Sequence, residues 1–189
     1  TKILAGVKPQ CYSFSDTIIL KMLAEHMDEL LAIIGAYLFE PFIESIRNNI
    51  FLRGAVGVGK YYRSSKLVIG PAIDETYEWY EAADWMGIVL TPSAKYRIEA
   101  SGDKDYGAAA RMAFKEYDIP LTKTNGQGMT YSGRALGWPG YWLNNKFRPE
   151  TIESLLDRFG DTAIGLSAVS KYENTLAFFR HCTKKDKSP

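Results

Sequence analysis

Residues 53–93 limit the fold most, because the apolar pattern changes period repeatedly within one short segment. The segment opens on Arg53-Gly54-Ala55-Val56-Gly57-Val58-Gly59, where apolar and small residues alternate as in a strand over 51–59. Residues 60–66 are polar and tyrosine-bearing, as a hairpin connection would be, and Leu67, Val68 and Ile69 form a return strand. Gly70-Pro71 breaks it. The spacing then becomes helical over 73–86, with acids near the start to complement the helix dipole, and Gly87 ends the helix. Ile88, Val89 and Leu90 follow as a strand stopped by Pro92. Strand, hairpin, strand, glycine turn, helix and strand in that order require an α+β architecture, a sheet covered by helices. The glycines permit positive φ or close backbone approach. No Gly-Lys-Ser/Thr ends the run, so it is neither a phosphate-cradling P-loop nor a dinucleotide fingerprint.

The flanking text fits the same architecture. Residues 11–20 read as a hairpin-like pair of short strands with a polar break at 13–17, and Asp16 lies in that break. Leu23, Met27, Leu30, Leu31, Ile34, Leu38, Phe42 and Ile46 recur at three- and four-residue spacing, which predicts a long amphipathic helix. Pro41 is expected to kink or interrupt it, and Asn48 and Asn49 suit its end. Downstream, a helix is predicted over 108–117, a short strand over 119–123 and a turn or mobile loop over 124–133. Residues 135–141 predict a last strand, which Pro139 confines to a sheet edge. Helices are predicted over 149–159 and 175–180, and a polar, basic, frayed tail from Thr183.

A length of 189 residues suits one domain with one core. The net charge of +1 calls for neither a nucleic-acid nor a membrane-surface partner. No apolar run approaches the roughly 20 residues that span a bilayer, and no signal-peptide pattern stands at the N-terminus. Cys11 and Cys182 are far apart and read as free thiols in a reducing cytoplasm. His26 and His181 stand in no metal-ligand spacing.

Several motifs recur in a telling order: Arg53 to Gly59, then Gly70-Pro71-Ala72-Ile73-Asp74 with Tyr77, Trp79, Tyr80, Ala83, Asp84 and Trp85 after it. Tyr117-Asp118-Ile119-Pro120-Leu121, Trp138-Pro139 and Lys171-Tyr172-Glu173-Asn174-Thr175-Leu176-Ala177-Phe178-Phe179 follow. Through these the chain resembles the class III nucleotide cyclases, most closely the pyrimidine (uridylate or cytidylate) cyclases of bacterial Pycsar antiphage defence. The resemblance implies a class III cyclase-like sandwich, a central, mostly antiparallel sheet flanked by helices, over residues 1–182, with 183–189 as a basic tail. It implies conversion of UTP or CTP to the 3′,5′-cyclic monophosphate and pyrophosphate, a messenger read by a downstream effector. A homodimer is implied too, since two protomers build each site in that family.

Within the resemblance, Asp16 takes the position of a catalytic metal aspartate for Mn²⁺ or Mg²⁺; on the residues alone it is equally a turn-capping acid. The other metal aspartate is expected upstream of Thr1, because residues 1–10 carry no Asp or Glu. Tyr12 stands where purine cyclases place a base-reading Lys, and Leu67 falls on the facing position; both point to a pyrimidine. Arg53 and Lys123, with Lys60 and Arg134, are candidate triphosphate contacts, Lys123 foremost. Asp74 replaces the usual Asn, and Glu78 stands where the transition-state Arg is expected. Trp79, Tyr80 and Trp85 share a helix at apolar spacing and read as core packing or a dimer face. The alternative reading is a catalytically inactive member of the fold that binds nucleotide or dimerises.

Overall fold

The computed structural model describes residues 9–14, 16–23, 27–64, 68–101, 105–124 and 127–184. Among them are two hairpin ribbons, one four-stranded sheet and seven α-helices. The predicted first hairpin is present: β1 (Gln10–Phe14) pairs antiparallel with β2 (Thr17–Lys21), from Gln10 opposite Lys21 to Phe14 opposite Thr17. The long helix α1 (Met27–Arg47) runs through Pro41 without interruption. Phe42, Ile43 and Ile46, all buried immediately after the proline, hold the last turns in place against its cost of roughly 3 kcal/mol. Asn49, at φ 57°, ends the run.

The segment after α1 departs from the predicted pairing. The strand is only β3 (Gly54–Val56), and it pairs in parallel with β6 (Ile88–Leu90). The hairpin β4 (Tyr62–Arg63) and β5 (Val68–Ile69) forms its own two-stranded ribbon. Helix α2 (Pro71–Ala82) carries the chain from that ribbon back to β6, so β3 and β6 are joined by a crossover, the connection a parallel pair needs. Gly70, at φ 138°, makes the entry to α2; a Cβ there would meet Tyr61 Cα at 2.8 Å and the Lys60 carbonyl at 3.0 Å.

Three prolines open helices. Pro71 starts α2, Pro92 starts α3 (Pro92–Ala100), and Pro139 lies in the first turn of α5 (Trp138–Asn144). At such positions the missing N–H would have no helical partner anyway. The edge strand predicted over 135–141 is therefore replaced: Ala135 and Leu136 end a strand, and a helix begins at Trp138.

Helix α4 (Asp105–Ala113) is shorter than predicted, since the chain turns into β7 (Phe114–Thr124), which pairs with β8 (Gln127–Leu136) as a long hairpin. Lys115 and Glu116 favour helix by propensity, but cross-strand packing of Phe114, Tyr117 and Ile119 overrides them. Of the glycines that predicted a loop over 124–133, Gly128 and Gly133 lie within β8, and Asn125-Gly126 fall outside the described residues. A Cβ at Gly133 would meet Tyr131 at 2.5 Å and Ile119 at 2.7 Å, so the residue is there for close approach rather than for a turn. The sheet order is β3-β6-β8-β7, with β6–β8 and β8–β7 antiparallel and β3–β6 parallel.

Helices α1, α3, α4 and α5 pack on one another, and α2 packs on β3, β5, β6 and β7. A Cβ at Gly35 of α1 would meet Ala113 of α4 at 2.6 Å, which fixes how closely those helices cross. Helix α6 (Ile152–Gly160) starts with a reciprocal cap between Thr151 and Ser154, and α7 (Val169–Thr183) begins earlier and ends later than predicted. The core gathers Trp85, Trp138, Trp142, Phe42, Phe114, Phe178 and Phe179, all with essentially no exposure. Trp85 stacks on Tyr117 at 5.5 Å and meets Phe178 edge-on at 4.6 Å, so this tryptophan is core packing. No helix of the described residues is long and apolar enough to cross a membrane.

Candidate functional site

The two hairpin ribbons lie against each other, and the residues predicted to carry chemistry divide around them. In a β-hairpin, cross-strand partners share a face. Gln10 and Tyr12 therefore share one face with Lys21 and Ile19. That face meets the β4–β5 ribbon. The Tyr12 hydroxyl donates to Gln10 Oε1 at 2.8 Å, and the Arg63 guanidinium lies 4.4 Å over the Tyr12 ring while donating to the same amide oxygen at 3.3 Å. The Lys21 ammonium lies 4.8 Å over the Tyr61 ring. The other face of β2 is open, with Ile18 61% and Leu20 45% exposed.

Asp16 stands in the tight turn between β1 and β2, exposed to solvent. Among the described residues, its Oδ1 accepts a long hydrogen bond, at 3.4 Å, from the Thr17 hydroxyl. Mg²⁺ takes about six oxygen ligands and is often held by one or two carboxylates with water and substrate phosphates completing the set. Asp16 is one carboxylate of that kind, whereas the two-metal reading calls for two. Among the described residues, no group of three or more His, Cys, Asp or Glu side chains is placed to hold a metal ion.

The other predicted residues lie as follows. Arg53 donates to Glu81 at 3.0 Å and lies 5.3 Å from the Tyr80 ring, so it serves the C-terminal half of α2. Burial, then the neighbouring Glu81, push the Tyr80 hydroxyl above its ordinary pKa. Arg134 is buried in the β7–β8 hairpin, paired with Glu116 and donating to the Phe114 carbonyl at 3.0 Å, a structural position. Lys123 belongs to β7, and its side chain is outside the described residues, as is Leu67. Asp74 and Glu78 are exposed on α2.

The loop that follows β3 is held from α2. Glu75 accepts from the Thr91 hydroxyl at 3.0 Å, the Ser93 amide at 3.1 Å and the Ser93 hydroxyl at 2.5 Å, and so caps the start of α3. The Val58 amide donates to the Ser93 hydroxyl at 3.4 Å. A Cβ at Gly57 would meet the Thr76 hydroxyl at 2.2 Å, so glycine there lets the loop lie on α2. This network delivers Lys60 and Tyr61 to the edge of the β1–β2 ribbon, where Lys21, Leu23, Gly59, Lys60, Tyr61 and Arg63 line an open cleft of about 520 Å³. Lys21, Tyr61 and Arg63 were not among the sequence candidates. The available signal was the run Lys60-Tyr61-Tyr62-Arg63, in which cations bracket tyrosines as in many phosphate-binding surfaces.

Comparison of the chain with protein-family models, curated proteins and solved structures finds no match.

Proposed function

We propose that the chain is a cytoplasmic class III-type nucleotide cyclase acting on a pyrimidine nucleoside triphosphate. The observation that carries the reading is Asp16, an exposed carboxylate in a tight hairpin turn with Tyr12 on the adjoining strand. The order of motifs from Arg53 to Phe179 supports it. Asp16 would be one ligand of a two-metal Mn²⁺ or Mg²⁺ site, in which one ion would lower the pKa of the ribose 3′-hydroxyl and the other would neutralise the leaving pyrophosphate. The 3′-oxygen then attacks the α-phosphorus, its proton leaves to solvent, and the bond to the pyrophosphate oxygen breaks. Tyr12 offers a phenol in place of a longer base-reading lysine, and the tyrosine ring is kept in one orientation by Gln10 and Arg63. A second copy seated on the open face of β2 would cover Ile18 and Leu20 and complete the dimer that the cyclase reading requires.

One observation favours the inactive alternative. Glu78 is an exposed acid on α2 at the position where the resemblance places a transition-state Arg. The two readings part under a single experiment. The chain is incubated with UTP, CTP, ATP or GTP and Mn²⁺, and products are identified by mass spectrometry. A cyclase gives cyclic UMP or cyclic CMP and little purine product. An inactive module binds a pyrimidine triphosphate and returns it unchanged.

A further inference from the structure

The cleft between the ribbons is built for an anion and lies away from Asp16. Asp16 precedes Thr17, whereas the cleft begins at Lys21, four residues on. At about 3.3 Å per strand residue this is a separation of roughly 13 Å. The Lys21 end of the ribbon thus lies about that far along the strand from the Asp16 turn, with Arg63, seated over Tyr12, between the two.

Three cations face the cleft: Lys21, Lys60 and Arg63. Among the described residues none of the three is in an ion pair. Two of them, Lys21 and Arg63, are held instead by neutral groups. Lys21 rests on the Tyr61 ring, and Arg63 rests on the Tyr12 ring and the Gln10 amide oxygen. Lys60 is fixed at its backbone, where its carbonyl accepts from Ala72 at 3.4 Å and Gly70 packs against it. The charges of Lys21 and Arg63 are thus positioned without an ion pair among the described residues, which is what an anion site needs before its ligand arrives, and Lys60 adds an exposed cation beside them. The aromatic rings already carry a cation on one face, so they are poorly placed to stack bases of a nucleic-acid strand. The cleft volume falls within the range of small-molecule sites.

We infer that this cleft binds a small polyphosphate anion, through Lys21, Lys60 and Arg63, at a site separate from Asp16. Its charge comes either from inorganic polyphosphate or from the phosphate chain of a nucleotide. The inference needs no metal at Asp16, although it shares Lys60 and Arg63 with the surroundings of the cyclase reading, and its test contains no divalent metal.

The experiment is calorimetric titration of the full chain with sodium tripolyphosphate, UTP and uridine at low salt without divalent cations. Tripolyphosphate is expected to bind, and uridine is not. Lys21→Gln, Lys60→Gln and Arg63→Gln should each weaken binding about tenfold, the scale of one charge-assisted hydrogen bond. Asp16→Ala should leave it unchanged, and added salt should weaken it. UTP binding much tighter than tripolyphosphate assigns the site to a nucleotide; equal affinities assign it to the inorganic anion. No heat with tripolyphosphate overturns the inference, as does binding unaltered in the three variants while their unfolding midpoints match the wild type. Tight binding of a single-stranded oligonucleotide without tripolyphosphate binding also overturns it, in favour of a nucleic-acid surface.

Discussion

At the residue scale, the two cysteines show how position decides chemistry. Cys11 is exposed on β1, while Cys182 is half-buried on α7, where desolvation pushes its thiol up to about 12 from 9.0. A thiol with a raised pKa stays protonated and unreactive at neutral pH. Iodoacetamide at pH 8 should therefore modify Cys11 and spare Cys182, read by peptide mass. The same shift has a stability consequence. Above 9.0 the unfolded thiol loses its proton while the folded one keeps it, so the folded state binds more protons and its stability falls as pH rises towards 12. Tyr117 and Tyr131, also raised by burial, act in the same direction at higher pH. The urea midpoint should decline through this alkaline window, and Cys182→Ala should flatten the first part of the decline. An unchanged slope in that variant would assign the loss to the tyrosines alone. The placement of Arg47 was not legible from its sequence neighbours: it is 3% exposed at the side chain and binds Glu44 at 2.5 Å, Glu150 at 3.2 Å and the Arg148 carbonyl at 2.8 Å. Glu150 and Arg148 lie about a hundred residues away in the chain, and no local pattern announces a partner at that distance.

At the element scale, punctuation residues carried most of the readable information and also most of the misreadings. The first hairpin and β6 follow their sequence patterns closely, because alternation and β-branched runs are local signals. Proline was read as the stop of a strand at Pro92, where β6 does end at Leu90 and α3 then begins, and as an edge-strand marker at Pro139, which lies instead in the first turn of α5. The glycines of β8 were read as a loop, although Gly133 answers to Ile119 across the hairpin. In each case the deciding contact is tertiary. Gly70 is the opposite case, a glycine whose local reading as a break was right and whose reason is physical. Gly70→Ala should destabilise the chain by about 1–3 kcal/mol, since it combines a φ of 138° with a Cβ 2.8 Å from Tyr61. Chemical denaturation checks this. A variant as stable as the wild type would mean that the α2 entry relaxes without cost.

At the scale of the whole molecule, the mixed α and β architecture was legible from the alternation of periods, and the pairing was not. A parallel β3–β6 contact across an inserted ribbon is non-local, and the sequence marks neither the partner nor the direction. The candidate site divides the same way. Asp16 could be located from its polar break, and Tyr12 from the strand beside it. The cationic cleft could not, because it is assembled from the end of β2, the turn before β4 and β4 itself. The functional account depends on Asp16 acting as a cation ligand during turnover. The most direct measurement is pyrophosphate release from UTP and CTP in Mn²⁺, compared between the wild-type chain and Asp16→Ala with matched unfolding curves. Turnover is expected in the wild type, with a loss of at least about a hundredfold in the variant, the scale of removing a metal-supported transition-state contact. Equal rates in the two proteins, or release from neither pyrimidine nucleotide by the wild type, would contradict it.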